Sequence, residues 1–249
     1  MEIKTPGEYM HKKFSPTVDL HVHTVASGHA YSTISEIAAE ASRKGLQGVG
    51  MTDHGPMLPG GPHLYHFLAL RFLPATLSGV RILKGAEANI VGIGMIDLPQ
   101  EITAQLDVVM AGFHEECGFG NQGKKENTRA LLAVMENPHV KIITHPGNPL
   151  FPLDYERVVQ QAVATGTALE INNASFSLSR CGSSPNCREI IRLCAHYEAL
   201  VALGSDAHFS QGVGEFAEAL QMISAGGIRP EQIVNLTLES TLRFLGLRS

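Results

Sequence analysis

The sequence predicts a single α/β domain closed into a β/α barrel of the TIM type. Three observations lead there. Short apolar runs, several rich in valine and isoleucine, alternate with amphipathic segments along the chain. The alternation repeats about every 30 residues, the length that strand–crossover–strand units need. Histidines and acids fall just after nearly every apolar run, and a parallel barrel gathers the C-terminal ends of its strands at one rim. A chain of 249 residues is an ordinary length for one such barrel and can bury a substantial core.

Seven runs read as buried strands: residues 18–20, 48–51, 81–84, 107–111, 141–144, 168–171 and 200–203. Each is too short for a helix. Between them, Thr33-Ile-Ser-Glu36 has the pattern of a capping box and precedes Ile37, Ala38 and Ala41, with Gly45 as the stop. Asp154 can cap a helix that carries Val158, Val159, Ala162 and Val163 and stops at Gly166. Ser184-Pro185 places proline in the first turn ahead of Ile190, Ile191 and Cys194. Residues 215–224 put Phe216, Ala219, Leu220 and Ile223 on one stripe, with Gly226 after them.

No proline- or serine-rich linker interrupts the pattern, so the reading is one domain over 18–249 after an N-terminal extension over 1–17. That extension lacks the apolar stretch of a secretory signal, and no run is long enough to span a bilayer; a cytoplasmic protein without membrane partners is expected. Cys117, Cys181, Cys187 and Cys194 form no CxxC pair, which speaks against a zinc ribbon or redox pair. A formal charge of −5 speaks against broad nucleic-acid binding, which rests on basic surface. Oligomeric state is left open.

The chemistry is in the strand ends. Asp19-Leu-His21-Val-His23 ends the first run and His29 follows in the next loop. Thr52-Asp-His54 ends the second, Glu87 the third, Gly112-Phe-His114 the fourth, Thr144-His145 the fifth and Gly204-Ser-Asp206-Ala-His208 the seventh. Residues two apart on a strand share a face, so His21 with His23, and Asp206 with His208, can enter one site. Neutral imidazole and carboxylate are ligands for zinc, manganese or iron, and one ion takes about four of them. Nine such groups exceed the need of one ion, which predicts two or three, with Glu87 and Asp206 as the available bridges.

Asp19 and Asp53 neighbour these ligands and are candidates to fix an imidazole tautomer, or else to cap or turn the chain. Arg71, Arg180 and Asn172 are candidates to hold or orient substrate, as is Asn173. His63 and His66 can line the pocket; His11 and His196 read as structural or solvated.

The stretches DLHVHTVASGHAYST (19–33), TDHGP (52–56), KGAEANI (84–90), AGFHE (111–115), ITHPGNP (143–149), LEINNASF (169–176) and GSDAH (204–208) together resemble the polymerase-and-histidinol-phosphatase (PHP) superfamily. Within it they resemble most the small stand-alone YcdX family, described as zinc-dependent phosphatases. The resemblance implies a distorted seven-stranded β/α barrel, a trinuclear site and a phosphatase or phosphoesterase acting on a small phosphorylated substrate. It implies one metal on His21, His23, Glu87 and Asp206, a second on Glu87, His114 and His145, and a third on His29, His54 and His208. Three zinc ions are the expectation, with manganese or iron as alternatives. His21, His23, Glu87, Asp206 and His208 are expected at the reacting centre. Departures from the family pattern are the N-terminal extension and the glycine-rich stretch VGIGMID after Glu87, which put the substrate in doubt. Hydrolysis of a C–N or carboxylic bond is the alternative reaction, and a non-catalytic metal-binding protein the alternative role.

Overall fold

A computed structural model describes residues 14–177 and 179–248. Seven parallel strands run in the order β1 (Val18–Val22), β2 (Gly48–Met51), β4 (Val80–Gly92), β6 (Val108–Gly112), β7 (Val140–Ile143), β8 (Ala168–Asn172) and β9 (Val201–Gly204). The predicted barrel is present and nearly closed. At the seam, Asp206 N–H donates to the His21 carbonyl (2.9 Å) and His23 N–H to the Ala207 carbonyl (2.9 Å). Below these bonds the buried amide of Asn235 spans the gap, donating to the Val18 and Leu203 carbonyls and accepting from Leu203 N–H. A barrel seam leaves backbone groups that would otherwise be buried without partners, and this side chain satisfies them.

The helices follow the predicted signals. The Thr33–Glu36 capping box is formed at the start of α1 (Ile34–Arg43). A short α2 (Leu64–Ala69) and α3 (Gln100–Thr103) follow, then α4 (Gly123–Met135). Asp154 caps α5 (Tyr155–Thr165), which stops at Gly166 in the left-handed conformation. Pro185 lies in the first turn of α6 (Ser183–Tyr197), and α7 (Ala217–Ala225) and α8 (Leu238–Leu245) complete the set. Among the described residues no helix is long and apolar enough to cross a membrane. Residues 1–13 of the predicted extension lie outside the described residues; Phe14 is buried in the core.

Two local departures from the sequence pattern position the site. The third strand does not end at residue 84. It continues as β4 to Gly92, leaving β2 at Lys84 and pairing with β6 from Gly85 to Asn89, so Glu87 lies inside the strand opposite Met110. The small residues of GAEAN hid this extension from an apolar-run criterion. Short antiparallel strands β3 (Thr76–Leu77) and β5 (Met95–Ile96) flank β4.

The second departure is a bulge in β1. Its register against β2 slips between Asp19 and Val22. Val18 and Leu20 pack into the barrel interior, whereas Val22 packs outward with Ile37 and Val49. An extra residue switches which side chains face inward, and His21 and His23 thereby enter the barrel.

Candidate metal centre

Glu87 is the centre of the rim. Its side chain is buried, and its two oxygens face different imidazoles. Oε2 lies 3.2 Å from His21 Nε2, 3.5 Å from His23 Nε2 and 3.0 Å from His54 Nδ1. Oε1 lies 2.9 Å from His145 Nε2 and 3.2 Å from His114 Nε2, and those two nitrogens are 3.2 Å apart. Asp206 Oδ1 is 3.1 Å from His23 Nε2 and 3.5 Å from His21 Nε2. His208 Nε2 and His29 Nε2 are 3.0 Å apart, and the His29 ring centroid lies 5.2 Å from that of His54. All nine predicted ligand-type residues therefore converge, although they come from six strand ends and one loop.

These distances fit shared cations. Two ligands about 2.0–2.1 Å from one tetrahedral ion sit about 3.3 Å from each other. Hydrogen bonding does not account for one contact in particular: His54 Nδ1 and Glu87 Oε2 are buried, 3.0 Å apart, and neither has a hydrogen bond among the described residues. Buried polar atoms normally find partners. Three tight groups of donor atoms can each hold an ion: His21, His23 and Glu87; His54, Glu87 and His114; and His23, His54 and His208.

The protonation states suit ligation. Burial lowers the pKa of His23 and His54, and burial assisted by Arg180 takes that of His145 to about 4. These rings are neutral near pH 7 and offer lone pairs. Burial works to raise the pKa of Glu87, but His21, His54 and His114 outweigh it and hold the carboxyl well below the usual range. For Asp206 burial is likewise overcome, by His21 and Arg180. His21 is the exception. Burial opposes its charge, yet Glu170, Glu87 and Asp206 hold its pKa well above the ordinary value. The field that does so is the field that would attract a cation.

The backbone is strained here as well. His145, Arg180 and Asp206 have φ of +32°, +51° and +56°. A non-glycine residue in this region costs about 1–3 kcal/mol and persists where surrounding structure enforces it.

Not every candidate reaches the cluster. Arg180 does: its Nη2 donates to Asp206 Oδ2 and to Asn172 Oδ1 (3.0 Å), and its Nε to Ser175 Oγ (2.9 Å). It lies on the wall of an open cavity of about 650 Å³ above Glu87, His114, His145 and His208. Arg71 is elsewhere, exposed on the surface with its guanidinium 4.8 Å from the centre of the Phe72 ring. Asn172 is buried, and its amide is engaged by Glu170, Asp206, Ser175 and Arg180. Asn173 accepts from Glu218 and Ala219 N–H at the start of α7.

The two aspartates differ. Asp19, turned away by the bulge, holds Ser205 and Gly214 N–H and meets no ligand ring. Asp53 accepts from Ser27 Oγ, which lies 3.2 Å from His23 Nδ1, and pairs with His66 at 3.0 Å. His63 caps α2. The residue that sequence reasoning missed is Glu170. The available signal was an acid in the middle of an apolar strand, two positions before Asn172.

Comparison with known proteins agrees with this architecture. The model of the PHP domain family matches residues 19–225. The chain belongs to the PHP family. A "Probable phosphatase" of Syntrophotalea carbinolica is 60% identical over 232 residues, covering 93% of this chain and 97% of the relative. The "Probable phosphatase YcdX" of Escherichia coli O127:H6 is 45% identical, covering 93% of this chain and 94% of the relative. Among solved structures, the histidinol phosphate phosphatase of Lactococcus lactis, complexed with zinc, L-histidinol and phosphate, superposes with a TM-score of 0.57 at 14% identity, over 86% of this chain and 95% of that one. The "putative histidinol phosphatase hisK" of Listeria monocytogenes gives 0.58 at 16% identity, over 81% and 99%. At such identity the likeness establishes the fold.

Proposed function

We propose that this PHP-family protein is a metal-dependent phosphatase that hydrolyses a small phosphomonoester at the Glu87 centre. The observation that carries the reading is the Glu87 carboxylate, with imidazole nitrogens of His21, His23 and His54 facing one oxygen and those of His114 and His145 facing the other. A carboxylate so placed could be shared by two ions. His29, His54 and His208 would hold a third, and imidazole with carboxylate suits zinc first, then manganese or iron. The shared name of the close relatives points to the same reaction.

Divalent ions bound there would supply a low-pKa water and neutralise charge on the phosphoryl oxygens. The chain's own groups do the rest. Asp206 divides its carboxylate, with Oδ1 toward His21 and His23 and Oδ2 toward Arg180 and Asn172. It therefore fixes the distance between the metal ligands and an arginine on the cavity wall. Arg180 Nη1 has no acceptor among the described residues and is available to a phosphate oxygen. Both residues have backbone in the left-handed region, which persists where the surrounding structure enforces it.

The test is elemental analysis of protein purified without chelator, together with phosphate release from an aryl phosphate with and without added zinc or manganese. Two or more metals per chain with metal-dependent release is the expected result. Bound metal without any phosphate release would move the assignment to another hydrolysis or to a non-catalytic metal protein.

A further inference from the structure

We propose that Glu170 is a positioning residue that holds one ligand from each side of the Glu87 bridge, His21 and His145, in metal-binding form. The proposal rests on the reading of these two histidines as metal ligands. Glu170 sits in the middle of β8 with its side chain fully buried. Oε1 lies 2.6 Å from His21 Nδ1. Oε2 accepts from the backbone N–H of His145 at 2.8 Å and from Asn172 Nδ2 at 3.1 Å.

A carboxylate can only accept, so His21 donates from Nδ1. The neutral ring then presents its Nε2 lone pair toward Glu87 and Asp206, where the cation would lie. The bond to His145 acts on the backbone. His145 has a φ of +32°, and its N–H is fixed by Glu170 while its Nε2 faces Glu87 Oε1. One buried carboxylate thus sets a tautomer on one side of the bridge and a backbone conformation on the other.

The neighbouring strand is built to allow this. A Cβ on Gly204 would lie 2.0 Å from Glu170 Oε1 and 2.8 Å from the His21 Cβ. Glycine at this position of β9 leaves the opening through which Glu170 reaches His21, a role separate from any turn or cap.

Glutamine is the informative substitution because it keeps the shape and loses one acceptor. Its single oxygen can serve His21 or His145, but not both. Facing His145, it turns an NH2 group toward His21 Nδ1 and forces the hydrogen onto Nε2, where the lone pair is needed. Facing His21, it sets an NH2 group against the His145 N–H.

The experiment is a zinc titration in competition with a chromogenic chelator, on the wild-type protein, Glu170→Gln and Gly204→Ala, with thermal unfolding recorded in parallel. Glu170→Gln is expected to bind zinc about 10–100-fold more weakly than wild type, the usual loss for an outer partner of a ligand. Gly204→Ala should reproduce that loss with the carboxylate chemically intact. A purely structural role would lower the melting temperature and leave the affinity where it was. Wild-type affinity in Glu170→Gln overturns the proposal and leaves the metal centre standing, whereas a wild-type protein that binds no divalent metal overturns both. Nitrogen-15 NMR of histidine-labelled, zinc-loaded wild type tests the tautomer without any variant: His21 should carry its proton on Nδ1, and a proton on Nε2 overturns the assignment.

Discussion

The two ends of the barrel interior are built from the same strands and obey opposite rules. At the lower end Val18, Leu20, Leu83, Val108, Met110 and Ile142 pack together and are closed off by Leu242 and Leu245 of α8. At the upper end the same strands present His21, His23, Glu87, His114 and their neighbours. Strand β4 shows the contrast within four residues, since Leu83 and Glu87 lie on one face with Gly85 between them. Leu83 gains from leaving water. Glu87 loses by it, and remains charged because the imidazoles around it, His21 foremost, outweigh burial. The lower half supplies stability; the upper half draws on it to hold buried charge and strained backbone in one arrangement.

That contrast can be broken at either end. The largest effect is expected from Glu87→Ala. Activity on an aryl phosphate should fall to background and bound metal should drop, with the fold retained by circular dichroism. A fully active, fully loaded variant would remove Glu87 from the centre. Next in size, Leu83→Ala should cost about 2–5 kcal/mol of stability in a denaturant titration, yet leave zinc affinity at its wild-type value. A matching loss of affinity would show that the two halves are not separable.

Arg180→Ala sharpens the upper half. Removal of a charged hydrogen-bond donor is worth about 1.5–3 kcal/mol, so the KM for a phosphorylated substrate should rise about 10–150-fold, and an unchanged KM would reduce Arg180 to a partner of Asp206. The smallest effect is expected from Arg71→Ala. This exposed side chain should change kcat/KM and stability by no more than about 0.5 kcal/mol, and a large rise in KM would place it at the substrate after all.

Much of the site was legible because ligand chemistry concentrates in few residue types and a parallel barrel brings distant strand ends together. His21, His23, His54, His114, His145, Asp206 and His208 each stand at the end of an apolar run, and Glu87 and His29 lie within stretches similar to the PHP family. Arg71 and Arg180 show the limit of that reasoning. Both follow strands in the sequence, and nothing in their local pattern tells a surface arginine stacked on Phe72 from one drawn to Asp206. Asn172 was placed correctly at the strand end, but only the packed neighbours show its amide engaged by Glu170 and Arg180 rather than open to the cavity.

The sequence by itself determined the barrel class and the residues of the histidine-rich rim, because hydrophobic periodicity and turn chemistry are local and survive in a one-dimensional reading. Tertiary structure decided the rest. The slip of β1 against β2, which turns His21 inward and Asp19 outward, depends on strand pairing. The reach of Glu170 to His21 depends on a glycine in the adjacent strand. Whether a buried carboxylate stays charged depends on which imidazoles lie within a few ångströms of it, and that distance is set only when the barrel closes.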